Sequence, residues 1–128
     1  MERLGVAGAV TETNTEQGHI NFDLADQYGL SWMQWGYKKF SDWTWDDDGL
    51  FDRSCTSKNP YECAIASTVK NYARTYPRAV AGDTVRFNYN DTTGDAMLEF
   101  APNFDCELPT EIFLSEKWVY KEGYEVEI

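Results

Sequence analysis

The chain has 128 residues, enough for one ordinary domain with a modest core. Eleven Lys and Arg against 22 Asp and Glu give a net charge of −11, which argues against a nucleic-acid backbone or an anionic membrane surface as partner. Aromatic residues make up 16% of the chain, which points to a core or a binding site built on rings.

The first predicted element covers residues 4–11, a short apolar run suited to a buried parallel strand. It is too short, and lacks the basic flank and cleavage pattern, to be a targeting segment. No stretch approaches the roughly 20 apolar residues that span a bilayer. The chain is therefore read as soluble, with any secretion signal lying outside it. Glu12 comes directly after this run. Residues 22–28 carry a weak helical pattern through Phe22, Leu24, Ala25 and Tyr28. Residues 30–37 read as a second, aromatic strand holding Trp32 and Trp35. Three apart on a strand, these tryptophans point to opposite faces. One of them can then face a site while the other packs under a helix.

Residues 41–56 are polar and Asp-rich and read as a loop. Asp46-Asp47-Asp48-Gly49 fails the EF-hand pattern, because Thr44 and Cys55 would fill the first and last ligand positions. A solvated acidic loop is the expectation, with Trp43 and Trp45 either rimming a cleft or packing the loop. A continuous helix is predicted over residues 60–76. Asn59 is its N-cap, Pro60 stands in the first turn, apolar residues recur every three or four positions, and Pro77 stops it. The chain divides between Pro77 and Gly82. Beyond it the period changes to two, with strands expected over residues 84–89, 97–100, 111–114 and 124–128 and a turn at 91–95. Short alternating strands of this kind suit part of a β-sandwich.

Cys55 and Cys63 stand close enough to bridge a loop or to remain reduced, and Cys106 is the third cysteine. With one histidine, His19, and no Cys-x-x-Cys, no metal site is expected. Asn90-Asp91-Thr92 is a sequon that permits N-glycosylation in a secreted protein and also arises by chance.

Two readings meet at Glu12. Strand-end glutamates commonly cap, pair or face water. Retaining glycosidases instead need two carboxylates about 5 Å apart, and in β/α barrels such residues project from the C-terminal ends of strands. Tryptophan suits the same chemistry, because indole packs on the flat C–H face of a pyranose. The alternative for Trp32 and Trp35 is burial in the core. No Gly-x-Ser-x-Gly occurs, so no serine hydrolase triad is indicated.

Several stretches together resemble a family. Ala9-Val10-Thr11-Glu12 is similar to the seventh-strand segment that places the nucleophile in endoglycoceramidase-type enzymes of glycoside hydrolase family 5. Ala25-Asp26-Gln27-Tyr28 and Ser31-Trp32-Met33-Gln34-Trp35-Gly36-Tyr37-Lys38 resemble the eighth strand and its approach. Arg74-Thr75-Tyr76-Pro77-Arg78-Ala79-Val80-Ala81-Gly82 resembles the junction into the C-terminal β-domain. Phe87-Asn88-Tyr89-Asn90 and Pro109-Thr110-Glu111-Ile112-Phe113-Leu114 resemble strands of that domain.

The resemblance implies an α/β plus β fold. Residues 1–79 would be the C-terminal piece of a TIM (β/α)8 barrel, its last two strand–helix units, and residues 80–128 a partial antiparallel β-sandwich domain. Glu12 would be the catalytic nucleophile, with Trp35 as the platform beneath the sugar and Trp32 beside it. The substrate would be a glycosphingolipid or related glycoside, cleaved between oligosaccharide and ceramide without metal or cofactor. The setting would be extracellular or lysosomal in the full-length parent. Thr13-Asn14 departs from the Phe and small residue that commonly come after this Thr-Glu. The acid/base glutamate of the family comes after an Asn, and no Asn-Glu dipeptide occurs here. A full barrel takes about 250 residues, so the chain reads as a fragment, inactive alone. Alternatives are another family 5 β-glucosidase acting on glycolipids, a non-catalytic carbohydrate- or lipid-binding module, or a dead remnant.

Overall fold

The computed structural model describes residues 8–13, 15–34, 36, 49–52 and 54–128, with backbone alone for 15–19. The chain forms two compact units, residues 1–68 and 69–128. In the first, β1 (Ala9–Thr13), α1 (Thr15–Tyr28) and β2 (Ser31–Gln34) make a βαβ unit with the two strands parallel. Residues 4–7 of the expected first strand lie outside the described residues. The observed strand runs two residues beyond the expected end and so takes in Glu12.

Helix α1 starts seven residues before the predicted span. Its first turns are polar, so apolar periodicity does not mark them. Phe22 and Ala25, each 1% exposed, supply its inward face. The helix stops at Gly29, whose φ of 64° suits glycine. The Leu30 N–H donates to the Ala25 carbonyl (2.8 Å) and the Gly29 N–H to that of Asp26 (3.3 Å), the Schellman pattern. The next N–H, of Ser31, already donates to the Gly8 carbonyl at 3.2 Å and opens β2.

The predicted continuous helix over residues 60–76 does not form. Asn59 does cap, its side chain accepting the Tyr61 N–H at 3.2 Å, but it caps only a single 3-10 turn, Pro60–Glu62. Residues 63–65 then pair with 50–52. The Asp52 N–H donates to the Cys63 carbonyl (2.8 Å) and the Ile65 N–H to the Leu50 carbonyl (2.9 Å). A disulfide joins Cys55 to Cys63, with Cα atoms 5.4 Å apart. These ties draw residues 63–65 into an extended bridge. Helix α2 is confined to Ala66–Tyr72. Tyr76 and Pro77 fall in a strand, β3 (Tyr76–Ala79), where Pro77 needs no helical hydrogen bond.

The second unit is built of small antiparallel sheets. β3 pairs with β6 (Glu111–Phe113), and β4 (Gly82–Tyr89) pairs with β5 (Ala96–Pro102). The alternating pattern predicts β4, β5 and β6 to within a few residues. Inside this unit Phe87 and Tyr89 are buried together with Arg74, Thr75 and Ser115. The Arg74 guanidinium carbon lies 4.8 Å from the centre of the Tyr89 ring. Burial pushes the Tyr89 hydroxyl above its ordinary pKa, helped by Tyr120 and opposed by Arg74. The expected strand at 124–128 is absent. That segment pairs with no strand among the described residues, and its side chains are exposed, including Tyr124, Val126 and Ile128.

Candidate functional site

Glu12 stands one residue before the end of β1, with its side chain exposed. The register explains that exposure. Val10 faces Trp32 and Thr13 faces Gln34, so three steps along β1 match two along β2. Trp32 and Gln34 share one face, since residues two apart on a strand point the same way. Val10 and Thr13 lie opposite them on that face. Thr11 and Glu12 occupy the extra step, where an irregularity of this kind re-aims side chains away from the regular alternation.

The face carrying Trp32 is the one that α1 covers. The Trp32 ring lies 4.2 Å from that of the buried Phe22. Asn21 Nδ2 donates to Thr13 Oγ1 at 3.0 Å, and Thr13 is 4% exposed. Helix α1 is thereby tied to β1 at the residue next to Glu12. Trp32 is half-buried and packs under a helix. Trp35 lies outside the described residues, as do Trp43, Trp45, the acidic stretch 46–48 and the side chain of His19. Chemically, the described part of the site offers one exposed carboxylate at the C-terminal end of a parallel strand, braced from behind by a Thr–Asn hydrogen bond and a Phe–Trp contact.

Sequence reasoning misses Thr13 and Asn21. No local motif links them, because they meet only when α1 folds back along β1. In the sequence Thr13 stands out only as a departure from the family pattern.

Residues 74–128 match the family model described as the glycoside hydrolase family 5 C-terminal domain. The chain belongs to the endoglycoceramidase-type glycoside hydrolases of family 5, and its family 5 C-terminal domain is β-rich and built from small sheets. Two curated relatives carry the likeness across the chain. An endoglycoceramidase of Cyanea nozakii is 30% identical over 108 residues, covering 84% of this chain and 21% of the relative. An endoglycoceramidase of Hydra vulgaris is 29% identical over 134 residues, covering 100% of this chain and 25% of the relative. The chain thus spans between a fifth and a quarter of the length of these relatives. No described helix is long and apolar enough to cross a membrane.

Proposed function

We propose that this chain carries the nucleophile half of a retaining glycosidase that cleaves the oligosaccharide–ceramide bond of glycosphingolipids. The observation that carries this reading is the exposed Glu12 at the C-terminal end of a strand in a parallel βαβ unit. Parallel strands joined by a helix are the repeating unit of a TIM barrel, and the C-terminal strand ends are where such barrels hold catalytic groups. The likeness to endoglycoceramidases supplies the substrate class. In the proposed whole, β1 and β2 are the last barrel strands. The partial β-sandwich domain follows them in the chain, as the resemblance implies.

Glu12 attacks the anomeric carbon and the ceramide oxygen leaves, giving a glycosyl-enzyme ester. A second carboxylic acid protonates that oxygen and then, as carboxylate, activates water to release the sugar. That second residue is supplied by the parent protein beyond this chain. Trp35 takes its role from the family resemblance. It is the proposed platform for the sugar, with Trp32 fixing the strand from behind. The Cys55–Cys63 disulfide supports an oxidising setting, extracellular or lysosomal.

The test is Glu12→Gln in the full-length parent, assayed by ceramide release from a ganglioside. Glutamine keeps the shape and removes the nucleophile, so kcat should fall by about 10³-fold or more. The unaltered 128-residue chain, in the same assay, should release none. Full turnover in the Gln variant would overturn the assignment of Glu12.

A further inference from the structure

We propose that Asn90 is an N-glycan acceptor and that the β4–β5 hairpin tip carries an oligosaccharide. Asn90-Asp91-Thr92 is the only Asn-x-Ser/Thr tripeptide of the sequence. Asn90 directly follows β4, and the next strand begins at Ala96. Both Asn90 and Thr92 are exposed. The loop is closed by its own backbone: the Asn90 N–H donates to the Asp95 carbonyl and the Gly94 N–H to the Asn90 carbonyl, each at 2.8 Å.

The side chain of Asn90 is fixed within this loop. Its Oδ1 accepts the backbone N–H groups of Thr92 (3.0 Å) and Thr93 (3.2 Å). Two donors on one atom identify that atom as the carbonyl oxygen. Its partner atom, Nδ2, is the one that takes a glycan, and among the described residues it donates no hydrogen bond. The Thr92 hydroxyl, the second recognition element of a sequon, donates only to its neighbour Asp91 Oδ1 at 3.2 Å. A glycan at this tip would extend into solvent and leave both the β4–β5 ladder and the turn hydrogen bonds intact.

The donor would be an oligosaccharide carried on a lipid diphosphate. A bond forms from Asn90 Nδ2 to its anomeric carbon, and the bond from that carbon to the diphosphate oxygen breaks. The diphosphate leaves with the electron pair, and the amide gives up one of its two protons. Such donors act in the secretory compartment, so the inference rests on the oxidising setting read from the Cys55–Cys63 disulfide. It does not depend on the role of Glu12.

The experiment is secretion of the full chain from cultured animal cells behind a secretion leader, with peptide mapping of the product. Treatment with a peptide N-glycosidase in heavy-oxygen water should convert Asn90 to labelled Asp. The glycoform shift on a gel should vanish in Asn90→Gln and Thr92→Ala and persist in Thr92→Ser. Glycan transfer acts on the unfolded chain, so a folding defect in a variant would not imitate this pattern. An Asn90 peptide recovered wholly unmodified, from secreted chain with Cys55 bonded to Cys63, would overturn the proposal.

Discussion

Tyr120 links two parts of the second unit through a single hydroxyl. It donates to the Gly94 carbonyl at 2.6 Å and shares a hydrogen bond with the Thr75 hydroxyl. Gly94 is buried and Thr75 is 1% exposed, so neither can turn to water instead. Tyr120→Phe keeps the ring and strands both partners, a cost of about 1–3 kcal/mol. Urea denaturation monitored by near-UV circular dichroism should show a lower midpoint with an unchanged slope. An unchanged midpoint would mean that the hydroxyl contributes nothing. Little of this is legible in the sequence, because Thr75 and Tyr120 lie 45 residues apart. Glu12 is legible as a strand-end carboxylate, since a short apolar run ends at it. Its exposure is not, because the extra step in β1 depends on the register with β2.

Among the elements, the β4–β5 hairpin is the most readable. Its strands alternate and its turn residues are Asp, Thr and Gly, so local sequence and tertiary structure agree. The start of β4 adds a constraint that no propensity shows. Gly82 has φ of 157°, and a Cβ there would run into the Ala101 carbonyl and come within 2.9 Å of Pro102 Cα. Those atoms belong to the paired backbone of β5 and cannot swing aside. Gly82→Ala should cost about 2–4 kcal/mol, read as a lower thermal midpoint with faster amide exchange along β4 and β5. Wild-type stability would contradict the close approach. The stretch 60–76 shows the reverse case. Its Asn59-Pro60 start signal and three-to-four spacing are real, yet the Cys55–Cys63 disulfide and the bridge between 50–52 and 63–65 take the backbone elsewhere. Tertiary ties of this kind override a moderate helical pattern. The Tyr-Glu-Val-Glu-Ile ending likewise alternates like a strand, but it pairs with no strand among the described residues.

For the whole molecule, the family is legible from ordered short motifs, and the family 5 C-terminal domain over residues 74–128 agrees with that reading. The β-rich second unit agrees with the C-terminal domain the resemblance implies. The central claim is that Glu12 forms a covalent bond to the sugar during turnover. The direct measurement is to treat the full-length parent with a 2-deoxy-2-fluoroglycosyl fluoride. The fluorine destabilises the oxocarbenium-like transition states, and the good leaving group still permits the first step, so the glycosyl-enzyme accumulates. Peptide mass mapping should then find the sugar esterified to Glu12. A label on any other carboxylate, or turnover of glycosphingolipid with inversion at the anomeric carbon, would contradict it.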